Sequence, residues 1–301
     1  MKLLSVGNLT IDEIVSDSGP RWLAPGGSAL YSCVTASILG ADASTVSSIG
    51  LDYPQHVLDW MTKKKVNLRR IQRSNLGSTR FRLVYEQGSR KVRLLNRGPR
   101  ISNAKPIGNH DIIHLGPVYH EIDLDIAAFA RRRCAFLSLD VQGLLRMTGA
   151  GGKITLCKRN LDDFLGLCDA VKGSEQEARF LTSTKDPINM VSELRKKGPK
   201  FAIVTLGAKG AILGSPQGIF KVPAYPETSH LDPTGAGDVM IGGWLVAFWR
   251  TKDPGWACAV GSAFASLIVR RSGRAKFRIS RKELFRRAAW VYRRVLVVPD
   301  L

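Results

Sequence analysis

The chain alternates short apolar runs with longer stretches in which apolar residues recur at helical spacing. An apolar run at residues 3–6 ends at Gly7, and a second extended piece follows at residues 10–15. A glycine turn then enters a helix of small residues within 24–41, the composition of a helix that packs closely on a sheet. The pattern therefore predicts two strands and a helix at the start of the chain.

The same alternation continues to residue 214 and decides the predicted fold class. The sequence predicts strands at 46–50, 111–115, 135–139, 170–172, 202–205 and 211–214, and helices at 54–65, 123–133, 160–166, 174–181 and 187–197. Buried strands joined by crossover helices form a mostly parallel sheet with helices on both faces. We therefore expect an α/β fold that binds its ligands at the carboxyl ends of the strands.

One segment departs from this alternation. Residues 78–95 contain two alternating runs on either side of Gln87-Gly88-Ser89, with no helix between them, which predicts a β-hairpin. One face would pack and the other would be exposed, as in a lid over a site or in a plain edge hairpin. Residues 10–24 are a candidate contribution to the same lid. Since no linker interrupts the chain, residues 1–301 are predicted to form a single domain with this small lid.

Length and composition favour a folded protein with a large core. The chain has 301 residues, of which 44% are hydrophobic. Its apolar runs are shorter than the ~20 residues that a membrane-spanning helix needs, so we expect a cytoplasmic protein with no membrane partner. The five cysteines are scattered and never approach a CxxC spacing, which supports neither a disulfide framework nor a zinc site.

The formal net charge of +20 is the main argument for a nucleic-acid partner. The basic residues, however, are spread over separate clusters rather than collected in one tract interleaved with aromatic residues. A basic surface also attracts anionic nucleotides, so the charge alone does not discriminate between the two kinds of ligand.

The most informative motif is LDPTGAGD at residues 231–238, which leads directly into an apolar helix. Its glycines allow the N–H groups of Gly235, Ala236 and Gly237 to converge on one anion, and the helix dipole adds to the attraction. Asp238 would then lie within reach of a hydroxyl that attacks the bound phosphorus, as a general base must. A helix cap formed by Asp238 after a tight turn is the alternative interpretation.

Other phosphate-binding and catalytic motifs are not supported. The glycines before Lys153 lack the earlier glycine of a P-loop, because Met147 occupies that position, and Ile154 stands where a hydroxyl residue should bind magnesium. The histidines form no metal-binding pair with a carboxylate at helical spacing. Magnesium is therefore expected to arrive with the nucleotide.

Two glycine motifs together resemble one family of kinases. Gly26-Gly27 opens a helix of small residues, and residues 232–238 open another, as in the paired signatures of the ribokinase-like (PfkB) carbohydrate kinases. The resemblance extends from Val6 to about Gly273. It implies that Asp12, Gly26 and Gly27 hold the hydroxyls of the acceptor, with Asn8 as a further candidate. A carboxylate accepts hydrogen bonds from hydroxyl groups, and glycine lets the acceptor approach the backbone.

The resemblance also implies where ATP and Mg²⁺ bind. The segment 203–211 is similar to the strand and turn that contact ATP through Thr205, Gly207 and Gly210. The segment 172–178 is similar to the Asn-x-x-Glu segment that organises magnesium and phosphate; Lys172 precedes it, Ser174 replaces the asparagine, and Glu177 is retained for an indirect contact with Mg²⁺. A capping box between Ser174 and Glu177 is the alternative.

The resemblance further implies an optional site for K⁺. Asp232 and Thr234 correspond to positions that coordinate a monovalent cation in some members of the family. Pro233 fixes the turn between them whether or not an ion binds.

The acceptor is suggested by two further segments. Residues 114–118 and 139–143 resemble the myo-inositol kinase branch and its archaeal relatives, which implies that Gln142 faces the acceptor. The predicted function is thus an ATP-dependent kinase for a small sugar or polyol, with an inositol-like acceptor favoured. A nucleoside kinase of the same family, or a non-catalytic sugar- or nucleic-acid-binding protein on this fold, is the alternative. An exposed lid face could also pair two copies in a homodimer.

Overall fold

A computed structural model describes residues 1–16, 21–86, 89–227 and 232–298. Every strand and helix predicted from the alternation is present, with bounds that differ by a few residues. The strands are β1 (Lys2–Val6), β2 (Thr10–Ser16), β3 (Trp22–Gly26), β4 (Asp42–Gly50), β5 (Val66–Ser74), β6 (Thr79–Glu86), β7 (Ser89–Asn96), β8 (His110–Leu115), β9 (Cys134–Asp140), β10 (Arg146–Thr148), β11 (Ile154–Leu156), β12 (Ala170–Ser174), β13 (Phe201–Thr205), β14 (Ala211–Ser215), β15 (Gly218–Val222) and β16 (Leu296–Val298). The α-helices are α1 (Ser28–Ile38), α2 (Gln55–Lys63), α3 (Leu124–Arg131), α4 (Gln142–Leu145), α5 (Asp162–Leu167), α6 (Glu175–Leu181), α7 (Pro187–Lys196), α8 (Ala236–Thr251), α9 (Pro254–Ile268) and α10 (Arg281–Tyr292).

The large sheet has the order β16-β15-β14-β13-β12-β9-β8-β1-β4-β5 in the described part of the chain. All pairs from β5 to β13 are parallel, whereas β14, β15 and β16 join by antiparallel pairing. The predicted α/β class with a mostly parallel sheet is therefore confirmed. The strands β5, β15 and β16 of this sheet were not predicted. In β5, basic residues alternate along the edge strand and give it no apolar run.

Both faces of the sheet are buried at its centre, which is why central strands such as β1, β8 and β9 are largely apolar. Leu3 and Ile112 belong to one core cluster, while their neighbours Leu4 and Ile113 belong to a second cluster on the opposite face. Successive side chains of a strand point to opposite faces, so this division follows from the strand geometry. The helices α1, α8 and α9 supply much of the first cluster. All cysteines are free thiols, and none of the described helices is long and apolar enough to cross a bilayer.

A second, four-stranded sheet has the order β3-β2-β6-β7. Its strands β6 and β7 are the hairpin predicted at 78–95, and β2 and β3 arise from the segment 10–24 that was named as a contribution. The predicted turn at 87–88 and the connection at 17–20 lie outside the described residues. Phe81 and Leu83 of this sheet pack with Val118, which follows β8. The small sheet thereby brings one of its faces to the carboxyl end of the large sheet.

Candidate active site

The start of α8 has the geometry of an anion-binding turn. Gly235 precedes the helix with φ +80°, and a Cβ atom there would lie 2.4 Å from Cε1 of Tyr31, so both backbone and packing require glycine. The N–H of Ala236 donates to the carbonyl of Pro233 at 3.1 Å and closes the turn. The N–H groups of Gly235 and Gly237 have no backbone partner among the described residues. Leu231, the first residue of the motif, lies outside the described residues.

Asp238 lies in the first turn of this helix beside a buried lysine. Its Oδ1 atom is buried and has no hydrogen-bond partner within the described part of the chain. Burial raises the pKa of the Asp238 carboxyl above its ordinary value, although the Lys172 ammonium acts in the opposite direction. A capping oxygen would be bonded to an N–H group, so this unpaired oxygen differs from what the cap interpretation expects.

Lys172, in β12, lies between Asp140 at the end of β9 and the first turn of α8. Its Nζ atom donates to Oδ2 of Asp140 at 2.8 Å, and a Cβ atom on Gly237 would lie 2.7 Å from it. Burial would lower the pKa of Lys172, but the carboxylates of Asp140, Asp238 and Glu177 raise it above its ordinary value. A fixed positive charge therefore lies against the glycine turn.

A cavity on one side of the turn collects most of the residues predicted to bind the acceptor. Asp12, Gly27 and Gln142 line it together with Gly235 and Asp238, and it contains about 430 Å³ of empty space that includes some open solvent. These residues come from β2, α4, the first turn of α8 and the loops before α1 and α8, which are distant in sequence. The topology therefore brings the two glycine motifs to a common cavity.

Asp12 is held by its own strand and by the neighbouring glycine. Thr10 donates from Oγ1 to Oδ1 of Asp12 at 2.7 Å. A Cβ atom on Gly26 would lie 2.1 Å from Oδ2 of Asp12, so glycine at this position makes room for the carboxylate. Burial raises the pKa of Asp12 to about 6.

Asn8 occupies a different environment and does not line the cavity. Its side chain donates to the carbonyl of Pro99 at 2.7 Å and accepts from the N–H of Ser48 at 3.0 Å. Both polar ends of the amide are thus used in linking β4 to the loop after β7. This role was not foreseen, because both partners are distant in sequence.

Several residues that line the cavity were not identified from the sequence. Arg146 donates from Nη1 to the carbonyl of Val118 at 2.9 Å, and its guanidinium lies 5.0 Å from the ring centre of Phe81. Tyr31, Arg90 and Leu83 also line the cavity. The alternation of the hairpin indicated that Phe81 and Leu83 share a face, whereas no local pattern distinguishes Arg146 from the other arginines of a basic chain.

A second cavity lies on the other side of the turn. Thr205, Gly207 and Gly210, the predicted ATP residues of the β13–β14 turn, line it together with Ala236 and Gly237. It contains about 800 Å³ of empty space, including open solvent. Since Gly235 and Asp238 line the first cavity, the beginning of α8 forms part of the wall between the two.

Ser174 and Glu177 line neither cavity. The N–H of Ser174 donates to Oε2 of Glu177 at 2.7 Å, and the N–H of Glu177 donates to Oγ of Ser174 at 3.3 Å. These two bonds form the capping box of α6 that was the alternative interpretation. Lys172 also lines neither cavity, although it contacts Gly237.

Asp232 and Thr234, the residues with a candidate role in binding K⁺, hold a lysine. Nζ of Lys276 lies 2.9 Å from Oδ2 of Asp232, 2.9 Å from its carbonyl oxygen and 2.7 Å from the carbonyl oxygen of Thr234. The ammonium group occupies the point on which these oxygens converge, so they do not fit a bound K⁺. Among the described residues, no group of three or more His, Cys, Asp or Glu side chains could hold a metal ion.

Known proteins share this fold along nearly the whole chain. The cytidine kinase of Thermococcus kodakarensis is 23% identical over 91% of this chain and 98% of that protein. A pyrophosphate-dependent kinase in the ribokinase family, solved with a pyrophosphate analog and myo-inositol, superposes with a TM-score of 0.82 at 22% identity, over 94% of this chain and 99% of its own. The ribokinase of Arabidopsis thaliana, solved with ribose and ATP, superposes with a TM-score of 0.76 at 19% identity, over 95% of this chain and 98% of its own.

The family model of the pfkB carbohydrate kinases matches residues 6–279, which include both glycine motifs and all the strands from β2 to β15. A match over this share of the chain decides its classification. The chain belongs to the pfkB family and is a carbohydrate kinase.

Proposed function

We propose that the protein transfers the terminal phosphoryl group of ATP to a hydroxyl of a small polyhydroxylated acceptor, with an inositol-like polyol favoured. The observation that carries this proposal is the position of Asp238. It presents a buried, unpaired carboxylate oxygen at the wall between a smaller cavity and a larger one. A carboxylate in this position can act as a general base toward a hydroxyl in the first cavity.

The proposed reaction uses the two sides of the glycine turn. The acceptor hydroxyl loses its proton to Asp238 as its oxygen forms a bond to the γ-phosphorus of ATP. The bond between that phosphorus and the bridging oxygen breaks, and ADP leaves with the electron pair. The N–H groups of Gly235 and Gly237 stabilise charge on the transferred group, and Lys172 adds a positive charge beside Gly237.

The polar groups of the first cavity support a polyol as the acceptor. The Asp12 carboxylate and the Gln142 amide can each take part in hydrogen bonds with more than one hydroxyl. The Arg146 guanidinium, which lies over the Phe81 ring, adds hydrogen-bond donors, and Phe81 and Leu83 give the cavity apolar surface. A polyol with a compact ring would place its hydroxyl groups against the polar side chains and its carbon atoms against the apolar ones.

A nucleoside is the second candidate acceptor. Tyr31 and Phe81 give the cavity two aromatic rings, which is what a nucleobase needs for stacking. The similarity to a cytidine kinase over nearly the whole chain points in the same direction. An inositol and a nucleoside differ in size and aromatic character, so one acceptor screen separates them.

The second cavity supports ATP rather than pyrophosphate as the donor. Its lining is mainly small or apolar, with Ala224, Met240 and Val269 among its residues. Its described lining residues include no lysine or arginine, and the one carboxylate among them, Glu227, is paired with Arg287 at 2.9 Å. An adenine base suits such a surface better than a bare pyrophosphate does.

Mg²⁺ would enter with the nucleotide. It binds proteins through one or two carboxylates together with substrate phosphates, and it keeps several waters. Glu177 lies close enough to Lys172 to raise its pKa, and its Oε2 already accepts from the N–H of Ser174, so its indirect contact with Mg²⁺ would pass through water. When bound, the ion neutralises charge on the phosphoryl group during transfer.

We further propose that the whole chain acts as one kinase domain, in which the four-stranded sheet is the lid. Arg90 and Val92 reach the cavity from its β7 strand, so movement of the sheet would open or close the acceptor site. Its outer face, with Leu23 at 64% exposure, could pair two copies. Sedimentation velocity of wild type and Leu23→Lys tests the pairing.

A donor and acceptor screen tests the proposed function. Purified protein is assayed with Mg²⁺ and either ATP or pyrophosphate against inositols, pentoses, hexoses and nucleosides. We expect transfer from ATP with the highest kcat/KM for an inositol. A higher kcat/KM for cytidine or another nucleoside would select the second candidate, and transfer from pyrophosphate alone would contradict the assignment of the donor cavity.

A further inference from the structure

Lys276 is a fully buried lysine to which the proposed reaction gives no part. Its side chain is 0% exposed, and its ammonium group faces three oxygens of Asp232 and Thr234 at 2.9 Å or less. Lysine is almost never fully buried unless it is paired, because its charge loses its hydration. The three oxygens match the number of donors on the ammonium, which accounts for its burial here.

This donor set is the one that a monovalent metal ion would use. Carbonyl and carboxylate oxygens stabilise a single positive charge, whether it is carried by K⁺ or by a lysine ammonium, and here the ammonium already occupies the position. The ammonium of Lys276 lies where Asp232 and Thr234 direct their oxygens. Lys276 is therefore a cation of the protein's own at this position.

The position of the Lys276 ammonium affects the glycine turn because the peptide group between Thr234 and Gly235 is planar. The carbonyl of Thr234 and the N–H of Gly235 belong to the same trans peptide, so they point in opposite directions. By holding that carbonyl at 2.7 Å, Lys276 turns the N–H of Gly235 away from itself, and Gly235 lines the first cavity. The charge of Lys276 thus sets the orientation of an N–H group that is proposed to donate a hydrogen bond to the transferred phosphoryl group.

The lysine is itself fixed by its neighbours. It lies in a short 3₁₀ segment, Gly273–Phe277, whose last ring packs on Tyr31 and Trp60 at centroid distances of 5.6 and 5.4 Å. Nζ of Lys64 donates to the carbonyl of Phe277 at 3.3 Å. The same Tyr31 ring closes against Gly235, so the segment and the turn share one support.

We propose that Lys276 is a built-in cation that orients the N–H of Gly235, so that phosphoryl transfer requires no added monovalent cation. This inference rests on the phosphoryl transfer proposed for the same site. Lys276 lines neither cavity and is a positioning residue.

The test compares cation dependence in wild type, Lys276→Ala, Lys276→Met and Lys64→Ala. The alanine variant leaves the oxygens with room for an ion, whereas the methionine side chain fills that room without charge. Lys64→Ala is the matched control, because it removes another lysine that binds the same segment without touching the turn. Turnover and melting temperature are measured in KCl, NH₄Cl and tetramethylammonium chloride at equal ionic strength, because surface charges respond to salt.

In wild type, kcat should differ among the salts by less than about twofold, the size of a general ionic-strength effect. In tetramethylammonium chloride, Lys276→Ala should lose about a hundredfold in kcat, the scale of one misdirected oxyanion donor. K⁺ or NH₄⁺ should raise the kcat of Lys276→Ala to about a tenth of the wild-type kcat or more. The same ions should not raise the kcat of Lys276→Met, since only the alanine variant can admit the ion. Lys64→Ala should respond to the salts as wild type does.

Three results would overturn the inference: stimulation of the wild type by K⁺, an undiminished kcat in Lys276→Met, or a loss in Lys276→Ala that no cation restores. The melting temperature gives a reading that does not depend on catalysis. K⁺ should raise it in Lys276→Ala relative to tetramethylammonium and leave it unchanged in wild type. If no acceptor were phosphorylated by any variant, the proposed function would fail while this comparison still decided the cation site.

Discussion

Replacement of the Asp238 carboxylate by an amide is the most direct test of the proposed chemistry. Asp238→Asn keeps the shape of the side chain but removes its negative charge and its ability to accept a proton. Oδ1 has no partner among the described residues, so the amide breaks no bond that this atom makes. Lys172 keeps its contact with Asp140 at 2.8 Å and is not left as an unpaired buried charge.

The expected magnitudes differ for turnover and stability. A positioned general base contributes about 10²–10⁴-fold, so kcat should fall by this factor, equivalent to about 3–5 kcal/mol of transition-state stabilisation. Burial raises the pKa of Asp238, which means that its ionised form destabilises the folded state above that pKa. The neutral asparagine variant should therefore melt at the same temperature as wild type or higher.

The assay couples ADP release to NADH oxidation with the best acceptor, and melting is followed by circular dichroism. Asp59→Asn, on the surface helix α2, serves as the control for an equal change in charge. A variant at Asp238 that retained near-normal kcat would refute the assignment of the base. A lowered melting temperature with a proportionate loss of activity would instead support a structural cap.

Two further predictions concern the turn and the acceptor site. Gly235→Ala should lose about a hundredfold or more in kcat, because φ is +80° and the new Cβ would lie 2.4 Å from Tyr31. Gly207→Ala, with φ +61° and nothing within 4 Å of the new Cβ, should lose only about 1 kcal/mol of stability, less than Gly235→Ala. An equal loss of melting temperature in the two variants would contradict the packing argument. Because the pKa of Asp12 is raised to about 6, the acceptor kcat/KM of the free enzyme should fall as the pH drops through 6, where protonation removes an acceptor of hydrogen bonds. A pH profile of kcat/KM that is flat to pH 5 would exclude this role.

The order of strands and helices could be predicted because hydrophobic periodicity is a local property. Buried strands carry apolar side chains on both faces, as Leu3 and Leu4 do, and the two glycine motifs mark the starts of α1 and α8. In the large sheet, the strands β5, β15 and β16 were missed. The strand β5 alternates basic residues at the sheet edge, β15 is a five-residue segment interrupted by Lys221, and β16 is a short, mostly exposed segment. None of them has the unbroken apolar run on which the prediction depends.

The residues of the candidate site could likewise be predicted only in part. Asp238, Gly235 and Asp12 belong to motifs whose spacing can be recognised along the chain. Arg146 and Lys276 belong to no motif, and each is one cation among the 45 lysines and arginines of the sequence. Their importance depends on what lies against them in space.

The sequence by itself determined the α/β class, the two glycine motifs and the family. It could do so because backbone conformation at glycine, strand burial and helix starts are set by neighbouring residues. Only the tertiary structure decided that Lys276 fills the position between Asp232 and Thr234, and that the first turn of α8 separates two cavities. A buried charge is stabilised by partners from distant segments, so its role is fixed when those segments fold together.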